Sequence, residues 1–111
     1  MMIALVRHGE TEENHQDFIQ GRRNNLLNDT GRKEAKSLKE KIKAKKFKVC
    51  FTSPLVRCVE TSLILIGDRV LMIPDQRLIE RDMGSLEGQP RKEYNTYLYW
   101  DYEKNIADDG V

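Results

Sequence analysis

Three short apolar segments, separated by two segments with helical spacing, constrain most strongly how this chain can fold. The apolar segments are residues 2–6, 48–52 and 70–73, and each has the length of a β-strand. Between them, apolar residues recur every three or four positions, as in a helix with one buried face. Alternating strands and helices favour an α/β fold with a mostly parallel sheet, because each helix returns the chain to the same end of the sheet.

Residues at the ends of these segments predict where the helices begin. Thr30 is the predicted N-cap of the first helix. Ser53 and Pro54 predict the start of the second helix, because serine is favoured at the N-cap and proline at the first helical position. A third helix is predicted to open at Pro90 and to include five aromatic residues: Tyr94, Tyr97, Tyr99, Trp100 and Tyr102.

Length, charge and composition narrow the class of protein. The chain has 111 residues, which predicts one domain, and its net charge is +1. A near-neutral balance argues against a globally basic protein that binds nucleic acid. No apolar run approaches the roughly 20 residues that cross a membrane, and no export signal is recognisable, so we expect no membrane partner. Two cysteines make neither a disulfide framework nor a zinc site, which favours a cytoplasmic location.

An arginine and a histidine follow the first predicted strand. Arg7, His8 and Gly9 come directly after residues 2–6, and ligands of open α/β sheets bind beyond the carboxyl ends of strands. The arginine offers forked donors that match phosphate oxygens, and a neutral imidazole is a nucleophile. Gly9 permits close approach of the backbone. This pair is therefore a candidate for anion chemistry.

Two further segments bring charged side chains to the same edge of the predicted sheet. Arg57 falls in the first turn of the second helix, where free N–H groups and the helix dipole favour anions. Arg7 and Arg57 can converge on one phosphate, because the predicted strands are parallel. The alternative for Arg57 is a surface ion pair with Glu60, one helical turn further on. Glu80 follows the third strand and supplies a carboxyl group.

Together, these segments resemble the histidine phosphatase superfamily, also called the phosphoglycerate mutase-like family. Residues 7–11 are similar to its Arg-His-Gly-Glu-Thr signature, residues 53–61 to its second-arginine segment, and residues 78–88 to its acid-bearing loop. The segment from Gln20 and Gly21 to Gly31 also matches the connecting pattern. The resemblance implies a three-layer α/β sandwich with a mostly parallel central sheet.

The resemblance implies a mechanism without a metal or other cofactor, on a small phosphorylated substrate. His8 would attack phosphorus and become phosphohistidine, and Glu80 would protonate the leaving oxygen. The phosphoryl oxygens would be bound by four residues: Arg7, Asn14, Gly21 and Arg57. Glu10 and Glu87 are rival carboxylates, for which we expect a role as hydrogen-bond acceptors in loops.

The resemblance also implies that part of the family pattern is missing. The family has a second active-site histidine, and His15, the other histidine of this chain, does not match that motif. We therefore expect residues 1–111 to be a single but incomplete domain that lacks the C-terminal strands and helices. Such a chain would be a fragment, would rearrange its sheet, or would associate with a copy of itself or another chain through the sheet. We expect little phosphatase activity from it alone.

Three functions remain open at this stage. A phosphomonoesterase is favoured, because only a short stretch separates Gly88 from residues 107–111, which resemble the lead-in to the family's Gly-Glu-Ser segment, whereas phosphoglycerate mutases generally carry a longer insertion after the acid loop. A phosphoglycerate mutase is the alternative within the family. The alternative from another class is a non-catalytic module that binds phosphate or a partner.

Overall fold

A computed structural model describes residues 1–91, together with the backbone of residues 100–101 and 106–107. The chain forms two compact units, which are Met1–Glu12 with Asn24–Ile79, and Glu13–Arg23 with Glu80–Val111. We call them the first and the second unit. In chain order the elements are α1 (Glu12–His15), α2 (Asp29–Ile42), β1 (Val49–Thr52), α3 (Val56–Ile66), β2 (Leu71–Pro74), β3 (Trp100–Asp101) and β4 (Ile106–Ala107).

The first unit contains a two-stranded parallel sheet. β1 pairs with β2 in a register that places Val49 opposite Leu71 and Thr52 opposite Pro74. The predicted strands 48–52 and 70–73 are thus confirmed to within one residue, as is their parallel direction. Pro74 belongs to the strand, although we expected the strand to stop before it. α3 connects the two strands, which gives the strand–helix–strand unit that the alternation predicts.

The start of α2 differs from the prediction. Asn28, not Thr30, is the N-cap, and its side-chain oxygen accepts a hydrogen bond from the backbone N–H of Gly31 at 2.8 Å. Asparagine is at least as good an N-cap as threonine, so the choice between them depends on where the preceding loop turns. Gly31 and Ala35 are the buried residues of the helix.

The start of α3 also differs from the prediction. Leu55 occupies the N-cap position, and the helix begins at Val56 rather than at Pro54. The Ser53 hydroxyl accepts from the N–H of Leu55 at 3.3 Å, while the side-chain oxygen of Asn24 accepts from the N–H of Val56 at 2.8 Å. Because an asparagine from a distant loop satisfies the first helical N–H, the serine is free to form a turn before the helix.

The prediction of a first strand is wrong. Residues 2–6 carry no strand assignment and are exposed, with Ile3 73% and Leu5 95% accessible. A strand requires a hydrogen-bonded neighbour, and among the described residues β1 and β2 pair only with each other in their sheet. Apolar composition alone predicted that this segment is buried, and the partner that burial requires is not among the described residues.

The second unit has a small apolar core of its own. Ile19, Met83 and Leu86 are buried together. The backbone of Ile19 donates to Gln89 at 2.9 Å and accepts from Gly88 at 2.7 Å. These two bonds join its two chain segments.

Beyond residue 91 the structure describes only two short strands. β3 pairs antiparallel with β4. Trp100 therefore lies in a strand, which contradicts its place in the helix predicted from Pro90. The other aromatic residues of that prediction lie outside the described residues. None of the helices in the described part of the chain is both long and apolar enough to cross a membrane.

Candidate active site

The His8 ring has a defined orientation in the first unit. His8 is half-buried, and its Nδ1 lies 2.6 Å from the carbonyl oxygen of Gly9. A carbonyl oxygen only accepts hydrogen bonds, so Nδ1 carries the proton in this contact. In the neutral ring this leaves the lone pair on Nε2. Arg7, directly before it, is exposed and makes no hydrogen bond or ion pair with residues 1–91.

A chain of two hydrogen bonds connects the histidine segment to α3. The backbone N–H of Gly9 donates to the Thr61 hydroxyl at 3.0 Å, and that hydroxyl donates to the Arg57 carbonyl at 2.7 Å. Thr61 is 5% exposed, and Gly9 is buried as well. The structure therefore brings the backbone after His8 to α3, although residues 2–6 do not form the predicted parallel strand.

Arg57 is buried at the start of α3, where its side chain is 2% exposed. Burial of a guanidinium is costly unless opposite charges or hydrogen bonds offset the loss of water. A surface ion pair with Glu60 is therefore the wrong interpretation of this arginine. Its position in the first turn, at the positive end of the helix dipole, suits an anion.

Glu60 connects α3 to α2. One oxygen of its carboxylate accepts from the backbone N–H of Leu27 at 2.9 Å, and the other accepts from Arg32 Nε at 2.7 Å. The hydrogen bond with Glu60 raises the pKa of the Arg32 guanidinium. Both oxygens of Glu60 thus fix the start of α2.

Glu80, the predicted acid, lies in the second unit. Its side chain is exposed, and Oε1 accepts from the backbone N–H of Arg81 at 2.7 Å. Arg22 Nε donates to the backbone carbonyl of Glu80 at 2.8 Å. The arginine therefore holds the main chain of Glu80, while the carboxylate remains accessible to solvent.

Glu87 has a structural role in the second unit, as expected for this rival carboxylate. Its Oε2 accepts from the backbone N–H groups of Arg22 at 2.9 Å and Met83 at 3.0 Å. Gly21 lies against the same carboxylate, and its φ is +53°. A β-carbon at Gly21 would overlap Glu87 and Met83. This close packing explains why residue 21 is a glycine. The proposed contact of Gly21 with phosphate stays a prediction.

The remaining polar candidates lie near α1 and α2. Asn14 is half-buried on α1, and its backbone carbonyl accepts from the N–H of Asp17 at 3.1 Å. His15, at the end of α1, is exposed. Glu10 accepts a long hydrogen bond of 3.4 Å from the side-chain amide of Asn28, in keeping with an acceptor in a loop.

Sequence reasoning missed Thr61. A residue four positions after Arg57 lies on the same face of a helix, so the spacing could have indicated that both face the histidine segment. No spacing rule predicts its bond to Gly9, which lies 52 residues earlier. Within residues 1–91, 100–101 and 106–107, no group of His, Cys, Asp and Glu side chains is arranged to hold a metal ion.

The order and geometry of these segments agree with a comparison to known families. The model of the histidine phosphatase superfamily (branch 1) matches residues 3–110. The chain belongs to this superfamily. The match includes Arg7, His8, Arg57 and Glu80, the residues that carry the proposed chemistry.

Individual relatives agree with the family and confirm the fold. A 2,3-bisphosphoglycerate-dependent phosphoglycerate mutase of Mesorhizobium japonicum is 41% identical over 92 residues, which cover 78% of this chain and 45% of the mutase. The structure of YhfR from Bacillus stearothermophilus superposes with a TM-score of 0.75 at 33% identity, over 82% of this chain and 46% of that one. The phosphoserine phosphatase of Entamoeba histolytica, in complex with 3-phosphoglyceric acid, superposes with a TM-score of 0.68 at 32% identity, over 79% and 44%.

The fold is therefore phosphoglycerate mutase-like, as the resemblance implied. The chain spans less than half the length of each of these relatives. Members of the superfamily include phosphatases and mutases, and both types occur among the relatives of this chain.

Proposed function

We propose that the chain transfers a phosphoryl group from a small phosphomonoester to His8, without a metal, and that water then receives it, with slow turnover when residues 1–111 act alone. The observation that carries this proposal is the 2.6 Å contact between His8 Nδ1 and the Gly9 carbonyl. A proton held on Nδ1 leaves the Nε2 lone pair as the nucleophile, and the ring is held in one orientation before substrate binds.

The proposed reaction has two steps. In the first, His8 Nε2 forms a bond to phosphorus, the ester P–O bond breaks, and the Glu80 carboxylic acid gives its proton to the leaving oxygen. In the second, water attacks phosphorus and gives a proton to the Glu80 carboxylate while the P–N bond breaks. Inorganic phosphate leaves, and His8 is neutral again.

The phosphoryl oxygens would be bound by four residues: Arg7, Asn14, Gly21 and Arg57. Their task is to hold the group in line with Nε2 and to offset its negative charge. The burial of Arg57 at the start of α3 supports this role, because a guanidinium in low-dielectric surroundings attracts an anion more strongly than one in water. The exposure of Arg7 leaves its donors available to a ligand.

Hydrolysis is the function we favour, and mutase activity is the second candidate. The similarity to a phosphoserine phosphatase supports hydrolysis. The 41% identity to a phosphoglycerate mutase supports the alternative, in which a substrate hydroxyl receives the phosphoryl group. Incubation with 3-phosphoglycerate distinguishes them, because a phosphatase releases free phosphate and a mutase yields isomerised phosphoglycerate.

The family match runs from residue 3 to residue 110, which supports assigning residues 1–111 to one domain. Cys50 and Cys58 are both free thiols, which supports a reducing, cytoplasmic location.

Trapping of the phosphoenzyme tests the proposal. The chain is incubated with labelled p-nitrophenyl phosphate, denatured in alkali and assayed for protein-bound label that acid removes, the behaviour of phosphohistidine. We expect label in the wild-type chain and in His15→Asn, the matched control on the other histidine, and none in His8→Asn. Label that survives in a folded His8→Asn variant, or that depends on His15, would contradict the proposed nucleophile.

A further inference from the structure

We propose that Thr61 is a positioning residue that sets the orientation of the His8 ring. The inference rests on the proposed function, because it assigns Thr61 to the nucleophile of that same site. Thr61 does not touch the ring. It acts through Gly9, whose two backbone polar groups bond to Thr61 on one side and to His8 on the other.

The hydrogen bonds have a defined direction. The Gly9 N–H can only donate and the Arg57 carbonyl can only accept, so the Thr61 hydroxyl accepts from the first at 3.0 Å and donates to the second at 2.7 Å. The hydroxyl therefore donates its single proton to the Arg57 carbonyl, and one of its lone pairs accepts from the Gly9 N–H. The hydroxyl therefore fixes the peptide between His8 and Gly9 relative to the first turn of α3.

The long-range bond distinguishes this threonine from an ordinary helical one. Threonine side chains commonly bond to the carbonyl four residues earlier, and this local contact alone would imply nothing beyond the helix. The bond to Gly9 spans 52 residues and is buried. If a buried N–H loses its acceptor, water can replace the lost hydrogen bond only by entering the site.

The packing of Gly9 leaves it little room to find another acceptor. A β-carbon built on Gly9 would lie 2.5 Å from the carbonyl oxygen of Gly31, so the two backbones are in close contact. Gly9 therefore lies between α2 on one side and Thr61 on the other. Loss of the Thr61 hydroxyl would let the His8–Gly9 peptide rotate. That rotation changes the backbone dihedrals of Gly9 and so shifts the following Gly9–Glu10 peptide, whose carbonyl accepts from His8 Nδ1.

Three substitutions test the inference. Thr61→Val removes the hydroxyl at nearly constant volume, and Thr61→Ser retains it. Thr52→Val is the matched control, because Thr52 is 4% exposed and its hydroxyl donates to the Ser53 carbonyl at 3.1 Å, whereas the acceptor of the Gly9 N–H is Thr61. The measurements are the His8 tautomer from ring nitrogen chemical shifts, hydrogen exchange of the Gly9 amide, the rate of His8 labelling, and the melting temperature.

We expect Thr61→Val to exchange the Gly9 amide about tenfold faster and to label His8 about tenfold more slowly, the size expected for one lost hydrogen bond. The fraction of ring with the proton on Nε2 should rise. Thr61→Ser should restore all three properties, and Thr52→Val should leave them unchanged although it lowers the melting temperature. A Thr61→Val variant that loses only thermal stability, as Thr52→Val does, would overturn the inference.

Two results separate this inference from the proposed function. If His8→Asn is labelled as fast as the wild-type chain, the proposed function fails, but the tautomer and the Gly9 exchange rate still decide whether Thr61 orients the ring. If Thr61→Val does not fold, Thr61→Cys replaces it, since a thiol has similar volume and accepts hydrogen bonds weakly. An unchanged tautomer in Thr61→Cys would overturn the inference.

Discussion

The backbone of Gly31, in the first turn of α2, lies directly against the backbone of Glu10. A β-carbon at Gly31 would overlap the Glu10 carbonyl oxygen and nitrogen, and the Asn28 N–H donates to the same carbonyl at 3.0 Å. The segment that carries His8 therefore packs on the start of α2 without any intervening side chain. At this position helix propensity favours alanine, whereas the close packing favours glycine.

The Gly31→Ala variant tests whether helix propensity or packing has the larger effect on stability. Alanine favours the helix by up to about 1 kcal/mol, whereas overpacking against a backbone that cannot move aside costs about 1–3 kcal/mol. We expect a net decrease in the free energy of unfolding, measured by urea denaturation. Ser37→Ala, at an exposed position of the same helix, is the control and should be neutral or slightly stabilising. A Gly31→Ala chain that is more stable than wild type would show that the two segments are not in close contact.

The parts of the fold that local patterns determine were predictable. The two paired strands and α3 follow from apolar spacing, and Gly67 ends α3 with φ +54° and an N–H bonded to Leu63 at 2.8 Å. Residues 2–6 were mispredicted because their apolar composition says nothing about whether a neighbouring strand is present. The predicted helix starts were wrong for two reasons. Asn28 caps α2 through a local bond to Gly31, in a loop that is fixed by the bond from the Asn28 N–H to the Glu10 carbonyl. At α3, Asn24 satisfies the first helical N–H from 32 residues away.

Glu87 is expected to matter for stability rather than for chemistry. Glu87→Ala removes the acceptor of two backbone N–H groups, and a hydrogen bond to a charged group contributes about 1.5–3 kcal/mol, toward the lower end for this half-buried side chain. We expect a lower melting temperature with little change in the rate of His8 labelling per folded molecule. Glu87→Gln keeps an acceptor oxygen and should recover much of the stability. In a folded Glu87→Gln chain, labelling that slows with an alkyl phosphate but not with p-nitrophenyl phosphate would instead make Glu87 the acid.

The candidate residues could be selected from their order in the sequence, whereas the contacts that support them could not. His8, Arg57 and Glu80 each follow a predicted strand, and this placement is a local property of the sequence. Thr61 and Glu60 support the site through contacts with loops far away in the chain. Such contacts depend on how helices pack, and a single sequence does not specify that.

Glu80→Gln should show the opposite behaviour to Glu87→Ala. The Glu80 side chain is exposed, so we expect the melting temperature of the Glu80→Gln variant to stay near that of wild type. An acid that protonates the leaving oxygen matters most when that oxygen is strongly basic. Labelling of His8 from an alkyl phosphate should therefore slow by about 10²–10⁴-fold, while labelling from p-nitrophenyl phosphate should slow far less. Equal slowing with both donors would contradict the role of Glu80 as an acid.

Asp75 should stabilise the first unit, and this stabilisation should be lost at acid pH. Its carboxylate accepts from Arg77 Nη2 at 2.6 Å and from the Arg77 backbone N–H at 2.9 Å, and these hydrogen bonds lower the pKa of Asp75 from 3.8 to about 2. Because the folded pKa lies below the unfolded one, the stabilisation is complete above pH 3.8 and is lost as the pH falls toward 2.

The measurement is the melting temperature of wild type and Asp75→Asn between pH 2 and 5, with the Asp75 carboxyl followed by NMR. We expect the advantage of wild type to be constant above about pH 4 and to shrink below it, since protonation removes the charge that Arg77 bonds. Glu40, whose pKa is lowered by its hydrogen bond with Lys43, also titrates at acid pH, but it is common to both chains and cancels in the difference. A carboxyl resonance of Asp75 that titrates at its ordinary pKa would show that the Arg77 pair does not persist in solution.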